Sequence, residues 1–273
     1  MCLLRRRYGV SKIAFFDIDG TLTRADGSIS DVVIQAVQSA LARGHKIVLA
    51  SGRPTFGMLD LIDVFGLTNG DGYLISYNGC AIYHIPSSSY MALHALKHDT
   101  LQLLDIELQK YPAISPIFYA NEQILTTKRN KFVDFEGELN KSQVFEVESY
   151  PLTGSPKLIW AGEPSQLDLI EQDIVAKFGY LCTIARSLPC FLEFTPLGVD
   201  KGAAVNEVCT LLEHSLVETV AFGDGNNDRA MLQAAGIGVA MENGRDELKA
   251  IADFIAPSNE LDGVVVAIEK FLP

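Results

Sequence analysis

The sequence predicts an α/β fold, a Rossmann-like doubly wound parallel sheet into which a second, α+β unit is inserted. Short apolar runs alternate with helix-like segments up to about residue 80, and the same alternation resumes near Asp200. Between them, helices mix with short strands over roughly 100 residues, which is an ordinary domain size. The expected boundaries are 1–82 and 189–273 for the sheet domain, and 83–188 for the inserted unit.

The first elements are predicted from apolar runs and helix caps. Residues 12–16 form a short, largely apolar run that is typical of a strand buried on both faces. Ser30 or Asp31 can cap a helix that ends before Gly44. This order of strand and helix predicts a parallel sheet with right-handed crossovers. The next elements are a strand at 47–50, a helix from Pro54 to Gly66 and a strand at 73–77.

The middle of the chain predicts shorter elements. A helix is expected over about 90–110, followed by an antiparallel hairpin with strands at 117–120 and 124–127. A polar stretch follows, to which the pattern assigns no element. The remaining elements of this unit are strands near 144–148, 157–161, 181–185 and 191–194 and a helix from Pro164 to Phe178.

The alternating pattern of the parallel sheet returns after Asp200. The sequence shows no internal repeat. Because both ends of the chain show this pattern, we expect them to build one sheet together. The expected elements are helices at 201–212, 227–235, 247–252 and 264–271 and strands at 219–222, 237–241 and 254–256.

The composition is that of an ordinary globular protein with an acidic surface. Hydrophobic residues make up 48% and charged residues 21% of the chain, which excludes disordered and fibrous classes. A formal net charge of -12 argues against nucleic acid or an anionic membrane as the partner. The basic run Arg5-Arg6-Arg7 is predicted to be part of a solvated, mobile terminus.

No targeting or membrane segment is predicted. The apolar residues 1–4 precede the arginines, which is the reverse of the order in a secretory signal, and no apolar run approaches membrane length. The five cysteines are odd in number and lack CxxC spacing, which favours reduced thiols in the cytoplasm over disulfides or a zinc site. No self-complementary patch is readable, so the oligomeric state stays open.

Two carboxylates directly follow the first strand. Asp17 and Asp19 are two positions apart, so both can point to the same side at the strand's C-terminal edge. Open α/β sheets bind ligands at that edge. Gly20 allows the chain to turn sharply, and Thr21 adds a hydroxyl. Taken alone, such a pair is also common as turn aspartates after a strand.

A second acidic segment, Gly223-Asp-Gly-Asn-Asn-Asp228, follows another buried strand and opens a helix. A calcium loop is excluded, because the sixth position from Asp224 is Arg229 and the twelfth is Ala235. A helix-capping role for Asn227 or Asp228 is compatible with anion binding, since a capped helix start presents N–H groups.

These two segments are expected to meet at one edge of the sheet. Four carboxylates at one place, Asp17, Asp19, Asp224 and Asp228, require a cation to offset their repulsion. All-oxygen ligands favour Mg²⁺. A phosphate would also need donors, which Ser51, Gly52 and the positive charge of Lys201 can supply. A serine before glycine and a lysine at a helix start are weak signals separately, and they become specific in this combination.

In chain order these motifs resemble those of the haloacid dehalogenase superfamily of phosphohydrolases. The matching residues are Asp17 to Thr21 (DxDGT), Ser51, Lys201 and Gly223 to Met231 (GDxxNDxxM). The segments Ser51-Gly-Arg53 and Asn78-Gly-Cys80 resemble the Cof-like branch, whose type IIB α/β cap lies between the second and third motifs. Ser51 in place of the commoner threonine, and Cys80 in place of alanine, are mild departures.

The resemblance implies a Mg²⁺-dependent phosphatase of small phosphorylated metabolites, such as sugar phosphates, flavin mononucleotide or pyridoxal phosphate. It implies that Asp17 is the nucleophile and forms an aspartyl-phosphate, and that Asp19 is the acid and base. The metal would be held by Asp17, Asp19, Asp224 and Asp228. Phosphate or substrate would be held by Ser51, Lys201, Ile18, Gly20, Thr21, Gly52, Arg53, Asn78 and Asn227.

Two other functions stay open at this point. A phosphomutase would use the same nucleophile and return the phosphate to a sugar, and a phosphate-binding regulator would lack a catalytic residue. Substrate specificity is expected to depend on the cap, for which Lys128, Arg129 and Arg186 are candidates only as basic residues.

Overall fold

The computed structural model describes residues 11–69, 71–149 and 154–273. The basic run Arg5–Arg7 lies outside the described residues. The α-helices are α1 (Asp31–Ala42), α2 (Asp60–Phe65), α3 (His98–Leu108), α4 (Lys131–Leu139), α5 (Pro164–Phe178), α6 (Lys201–Leu211), α7 (Arg229–Ala234), α8 (Asp246–Lys249) and α9 (Val264–Phe271).

The described strands form two separate sheets, of eight and six strands. The strands of the first are β1 (Ile13–Asp17), β2 (Lys46–Ala50), β3 (Tyr73–Ser76), β4 (Ala81–His84), β5 (Ser89–Leu93), β12 (Thr219–Gly223), β13 (Ile237–Met241) and β14 (Phe254–Ala256). Those of the second are β6 (Ser115–Ala120), β7 (Gln123–Thr126), β8 (Val144–Glu146), β9 (Leu158–Ala161), β10 (Cys182–Leu188) and β11 (Phe191–Pro196).

The first sheet has the order β14-β13-β12-β1-β2-β3-β4-β5, and its strands are parallel from β14 to β3. Strand β1 pairs with β2 on one side and with β12, from the other end of the chain, on its other side. The strand order reverses at β1, so the ligand-binding crevice of an open sheet is expected at its C-terminal end. Asp17 is the last residue of β1.

Both faces of this sheet are buried under helices. In β1, Ala14 and Phe16 pack in a cluster with residues of α1, α2 and α9. Ile13 and Phe15, which point the other way, pack in a second cluster with residues of α6, α7 and α8. All five residues of β1 are buried, which explains why the sequence shows a continuous apolar run there. The predicted α/β fold class is confirmed.

The second sheet has the order β10-β11-β9-β6-β7-β8 and lies over the C-terminal edge of the first. One face is covered by α3 and α5, through residues such as Leu104 and Ile174. The other face packs with Val133 of α4 and with Tyr77 and Cys80, which follow β3. This second face therefore borders the edge at which Asp17 lies.

Several predicted elements differ from the observed ones. The predicted helix over 90–110 begins only at His98, because Ser89–Leu93 is strand β5, paired with β4. The polar stretch before residue 144 contains helix α4, which Asn130 caps by accepting hydrogen bonds from the amides of Phe132 and Val133. The hairpin of β6 and β7 is confirmed.

The division of the chain into core and inserted unit stays a prediction, and two features of the sheets bear on its boundaries. Strands β4 and β5, placed mostly beyond the 82/83 boundary, hydrogen bond in the first sheet. Strand β11, which the 188/189 boundary assigns to the core, hydrogen bonds with β9 and β10 in the second sheet. At both boundaries, neighbouring strands of the chain pair antiparallel as hairpins, and no helical crossover between parallel strands separates them.

No helix in the described part of the chain has the length and apolar character that a bilayer crossing requires.

A close approach after β3 fixes the start of α6. Tyr77 and Asn78 have positive φ angles of 53° and 57°, and Gly79 follows at 105°. A Cβ atom on Gly79 would overlap the carbonyl oxygen of Asp200, the residue that caps α6. Only glycine fits this position. The contact fixes the start of α6, whose first residue is Lys201.

We predict that Gly79→Ala lowers the free energy of unfolding by about 3 kcal/mol or more, because backbone strain adds to a clash with Asp200. Gly44→Ala is the matched control. Gly44 has a φ of 95°, and a Cβ atom there would have no neighbour within 4 Å, so its variant suffers strain alone. That strain should cost about 1 kcal/mol. Urea unfolding of both variants measures the difference, and equal losses would contradict the role of the close approach.

Candidate active site

The two carboxylates of the first motif have different surroundings. Asp17 is 4% exposed, and its Oδ1 accepts a hydrogen bond of 2.5 Å from Nζ of Lys201. Asp19 is directed outwards, with its side chain 55% exposed. Its two oxygens accept hydrogen bonds from Arg53, at 2.9 Å from Nε and 2.5 Å from the terminal nitrogen. The predicted pair thus separates into one buried and one accessible carboxylate.

The loop after β12 brings the second acidic motif against the first. A Cβ atom on Gly20, whose φ is 83°, would lie 2.5 Å from Oδ2 of Asp224. The hydroxyl of Thr21 donates to the other oxygen of Asp224 at 3.1 Å. Glycine at position 20 is therefore required for the approach of Asp224 as well as for the turn.

Lys201 lies between two carboxylates in the interior. It is fully buried, and its Nζ donates to Oδ1 of Asp17 and to Oδ1 of Asp228, at 2.5 Å and 2.6 Å. The second oxygen of Asp228 accepts hydrogen bonds from the backbone amides of Asp224 and Gly225, at 3.0 Å and 2.9 Å. Both oxygens of Asp228 are thus occupied by protein donors, and this residue holds the loop in shape.

The charges of this cluster do not balance, since three carboxylates surround one ammonium. Burial and the charge of Asp228 raise the pKa of Asp17 well above its usual range, although Lys201 opposes the shift. Burial and Asp228 likewise raise the pKa of Asp224 to about 6. Burial disfavours the charge of Lys201, but Asp17 and Asp228 outweigh it and raise the pKa of the ammonium.

The acidic cluster fits a divalent cation. Carboxylate oxygens of Asp17, Asp224 and Asp228 all lie within 4.8 Å of one another. A cation here would offset the repulsion that raises the pKa values of Asp17 and Asp224. Since Asp228 is occupied by Lys201 and two amides, Asp17 and Asp224 have the oxygens best placed to bind it. The carboxylate of Asp19, which Arg53 binds, is not a member of this cluster.

Ser51, at the end of β2, begins a loop that is joined to the turn after β3. Ser51 is buried, and its hydroxyl accepts a hydrogen bond from the amide of Arg53. The carbonyl of Ser51 accepts from the amide of Asn78, and that of Arg53 accepts from the amide of Tyr77. The side-chain oxygen of Asn78 in turn accepts from Asn227 at 3.1 Å. The three loops after β2, β3 and β12 therefore form one hydrogen-bonded surface.

A cavity of about 350 Å³ opens above this surface, between the two sheets. Eight of the site residues predicted from the sequence line this cavity: Asp17, Asp19, Ser51, Gly52, Arg53, Asn78, Asp224 and Asn227. The other predicted site residues lie behind this wall and support it: Ile18, Gly20, Thr21, Lys201 and Asp228 are not among the lining residues.

The opposite wall of the cavity consists of residues that the sequence did not suggest. It contains Glu136, Asn140, Lys157 and Glu193, all buried. Their only signal in the sequence was a charged or amide side chain, in the unassigned polar stretch for Glu136 and Asn140 and in predicted strands for Lys157 and Glu193, and such residues are too common to single out.

The three basic residues considered for specificity, Lys128, Arg129 and Arg186, do not line this cavity. Arg129 forms an ion pair with Asp134, and Arg186 with Glu171 and Asp168. The ammonium of Lys128 binds the carbonyl of Pro112. Their charges bind neighbouring groups on the surface of the inserted unit.

A comparison with family models matches residues 14–268 to the haloacid dehalogenase-like hydrolases. The chain belongs to this family. The match extends from β1 through the inserted unit to α9, so it includes both acidic motifs and the loops that bear Ser51 and Lys201. The resemblance expected from the motifs is confirmed.

Individual relatives agree with this assignment. A provisionally named phosphatase of Streptococcus pyogenes, M6_Spy0533, is 34% identical over 266 residues, covering 96% of this chain and 98% of the relative. A haloacid dehalogenase-like hydrolase from Bacteroides thetaiotaomicron has a TM-score of 0.88 at 31% identity, over 95% of this chain and 99% of that one. The subclass IIB sugar phosphatase BT4131 has a TM-score of 0.82 at 26% identity, over 96% and 99%.

We predict that Asp224→Asn stabilises the metal-free hydrolase at pH 7, by about 1–2 kcal/mol. Below about pH 4 the carboxyl is protonated in both folded and unfolded chains. Because its pKa is raised to about 6 in the folded protein, ionisation costs the folded state increasingly as the pH rises from 4 to 6. The gain from asparagine should therefore be present above pH 6 and vanish near pH 4.

Urea unfolding with a chelator at pH 4 and pH 7 measures this effect. Asp173→Asn, an exposed carboxylate on α5, is the control and should change stability little at either pH. A gain of equal size at both pH values would mean that ionisation of Asp224 is not its origin.

Proposed function

We propose that this protein is a Mg²⁺-dependent phosphatase that hydrolyses phosphate monoesters of small metabolites through an aspartyl-phosphate on Asp17. Its class, a phosphoric monoester hydrolase, follows from its family and from relatives that are named phosphatases. The metal, the nucleophile and the kind of substrate are the new parts of the proposal.

One observation supports the nucleophile above all. Asp17 is a buried carboxylate at the C-terminal end of the central strand, and Lys201 binds one of its oxygens. Asp17 also lines the cavity, so a phosphorus atom can approach it. The ammonium favours the ionised carboxylate that an attack requires, against the effect of burial.

Asp17 and Asp224 would hold the Mg²⁺, with Asp228 and Lys201 fixing their orientation. When bound, the cation would neutralise charge on the phosphoryl oxygens and on the surrounding carboxylates.

In the first step, an oxygen of Asp17 forms a bond to phosphorus while the bond from phosphorus to the ester oxygen breaks. The leaving oxygen takes a proton from Asp19. In the second step, Asp19 removes a proton from water, whose oxygen bonds to phosphorus as the Asp17–phosphorus bond breaks. Inorganic phosphate leaves, and both carboxyl groups return to their initial states.

Asp19 cannot donate a proton while both of its oxygens accept hydrogen bonds from Arg53. The pair is partly exposed, with side chains 55% and 29% accessible, so separating it costs little free energy. A phosphate dianion entering beside Arg53 competes for the guanidinium, because Arg binds phosphate in the same bidentate manner. Binding of the substrate would thus free Asp19 to take up a proton from water, after which it can act as the acid.

The phosphate oxygens would be held by donors on the loops after β2 and β12. Ser51, Gly52 and Asn227 line the cavity beside Asp17. Ile18 and Gly20 follow β1; the amide of Ile18 would add to these donors, whereas that of Gly20 donates to the hydroxyl of Thr23 at 3.2 Å and would have to leave it to reach the phosphate. Thr21 supports Asp224 from behind. Asn78 joins the two loops through its hydrogen bond with Asn227.

The second sheet with its helices would act as a cap, and its wall of the cavity defines the kind of substrate. Of the cationic side chains in the cavity, Arg53 would be occupied by the reacting phosphate, and Lys157 is bound to Glu193. Glu136, Asn140 and Glu193 offer mainly hydrogen-bond acceptors. This wall suits the hydroxyl groups of a neutral remainder and disfavours a second phosphate. A sugar monophosphate fits these requirements.

We predict that Asp17→Asn abolishes turnover, since an amide oxygen cannot form the covalent intermediate. Asp19→Asn should lower kcat about 10²–10⁴-fold, the usual contribution of an acid–base group. Release of phosphate with and without Mg²⁺ measures both, and circular dichroism checks that the variants fold. Substantial metal-dependent activity of the folded Asp17→Asn variant would exclude Asp17 as the nucleophile.

Across a panel of phosphorylated metabolites, we predict that neutral sugar monophosphates have a kcat/KM at least about tenfold higher than the corresponding bisphosphates. The panel also includes flavin mononucleotide and pyridoxal phosphate. Free phosphate is the measured product, so transfer of the phosphoryl group within a sugar, as a phosphomutase performs it, is distinguished from hydrolysis. A clear preference for bisphosphates would contradict the proposed chemistry of the cap wall.

A further inference from the structure

A buried lysine of the second sheet reaches across to the first. Lys157, directly before β9, is 3% exposed. Its Nζ donates to the carbonyl oxygen of Gly52, in the loop after β2, at 3.0 Å. The same nitrogen donates to Oε1 of Glu193, on the neighbouring strand β11, at 3.1 Å. The ammonium of a cap residue thus hydrogen bonds to the backbone of the loop after β2, which is proposed to hold the phosphate.

The partner of this lysine also touches the core. Oε2 of Glu193 accepts a hydrogen bond of 3.4 Å from the side-chain amide of Asn78, in the turn after β3. Asn78 accepts from Asn227, and its backbone amide donates to the carbonyl of Ser51. The Lys157–Glu193 ion pair therefore connects to all three loops that face the cavity.

Other polar side-chain contacts between the cap and the core, among the described residues, are more exposed. Lys141 approaches Asp60 at 3.5 Å, and both side chains are mostly exposed. The hydroxyl of Tyr90, on β5, donates to Glu122 in the exposed turn between β6 and β7. Exposed pairs of this kind add little stability. Apolar packing also crosses the boundary, but it does not fix the position of a loop carbonyl.

We propose that Lys157 and Glu193 are positioning residues, which form a latch that couples the placement of the cap to the geometry of the phosphate loop. When the cap lies over the site, Lys157 fixes the carbonyl of Gly52 and Glu193 fixes Asn78. Without the latch, the cap still folds, but the loops around the phosphate lose their defined positions. The inference rests on the proposed function, since it assigns these loops to phosphate binding.

The latch has a specific energetic signature. Removing Lys157 leaves Glu193 as an unpaired buried carboxylate, which destabilises the fold whatever the role of the pair. Removing both charges together avoids this penalty but still deletes the bond to Gly52. A double variant therefore separates the role in positioning from the role in stability.

The experiment compares Lys157→Met, Glu193→Gln and the double variant Lys157→Met/Glu193→Gln in the full chain. For the double variant we expect a midpoint of thermal unfolding close to that of the wild type. Its kcat for a sugar monophosphate should be lower by about 10- to 100-fold, the loss expected when a group that positions the substrate is displaced by about 1 Å. KM should change less than kcat, because glutamine at position 193 keeps an oxygen that can accept from a substrate hydroxyl, whereas the lost bond to Gly52 acts on the transition state.

Lys177→Met/Glu107→Gln is the matched control. This Lys–Glu pair also has a mostly buried carboxylate, but it joins α5 to α3 within the cap and has no contact with the loops of the cavity. We expect its kcat to stay within about twofold of the wild type. An equal loss in the control would mean that any weakening of the cap lowers turnover, which would overturn the latch.

Hydrogen exchange gives a second readout that needs no substrate. The amides of Tyr77 and Asn78 donate to the carbonyls of Arg53 and Ser51. In both variants that lack Lys157, these amides should exchange at least about tenfold faster, while those of α5 are unchanged. Wild-type exchange at these amides together with wild-type turnover in the double variant would overturn the proposal. If the wild-type protein releases no phosphate, the proposed function fails, and exchange alone decides on the latch.

Discussion

Lys201 places a single ammonium between Asp17 and Asp228 in the interior, and the geometry of the site depends on this contact. One carboxylate ends the central strand, and the other closes the loop after β12. Since β1 and β12 come from opposite ends of the chain, the ion pairs bind the two halves of the sheet together at the edge where ligands enter. The close approach of Gly79 to Asp200 fixes the helix that carries the lysine. A surplus of negative charge remains, and a bound cation would offset it.

The sequence predicted this part of the molecule well because its signals are local. A buried strand followed by two aspartates needs no knowledge of distant contacts, and parallel strands necessarily bring their C-terminal ends to one edge. The roles of Gly20 and Asp228 were less visible. That Gly20 leaves room for Asp224, and that Asp228 receives two amides and an ammonium, depend on contacts between segments far apart in the chain, as the bond from Thr21 to Asp224 illustrates.

The inserted unit was harder to predict for physical reasons. Strand β5 is an exposed edge strand, whose residues lack the apolar alternation of a half-buried strand, so its sequence resembles the start of α3. Lys157 and Glu193 were not predicted because a buried ion pair has no periodic pattern. Surface lysines and glutamates look the same in the sequence, and only the fold decides which of them lose contact with water.

The central position of β1 has a consequence for how the chain assembles. Its neighbour β12 is roughly 200 residues away, so their pairing closes a very long loop, with an entropic cost that grows with the logarithm of loop length. Contacts within the second sheet are far more local. During synthesis, the first three strands leave the ribosome long before β12 exists. Until then, the edge of β1 that pairs with β12 has no partner strand. The stacking of Phe16 on Phe222, 4.4 Å between centroids, cannot form before β12 has been synthesised. Chemistry that requires Asp17 and Asp228 together therefore cannot begin until the segments that carry both residues have left the ribosome and paired.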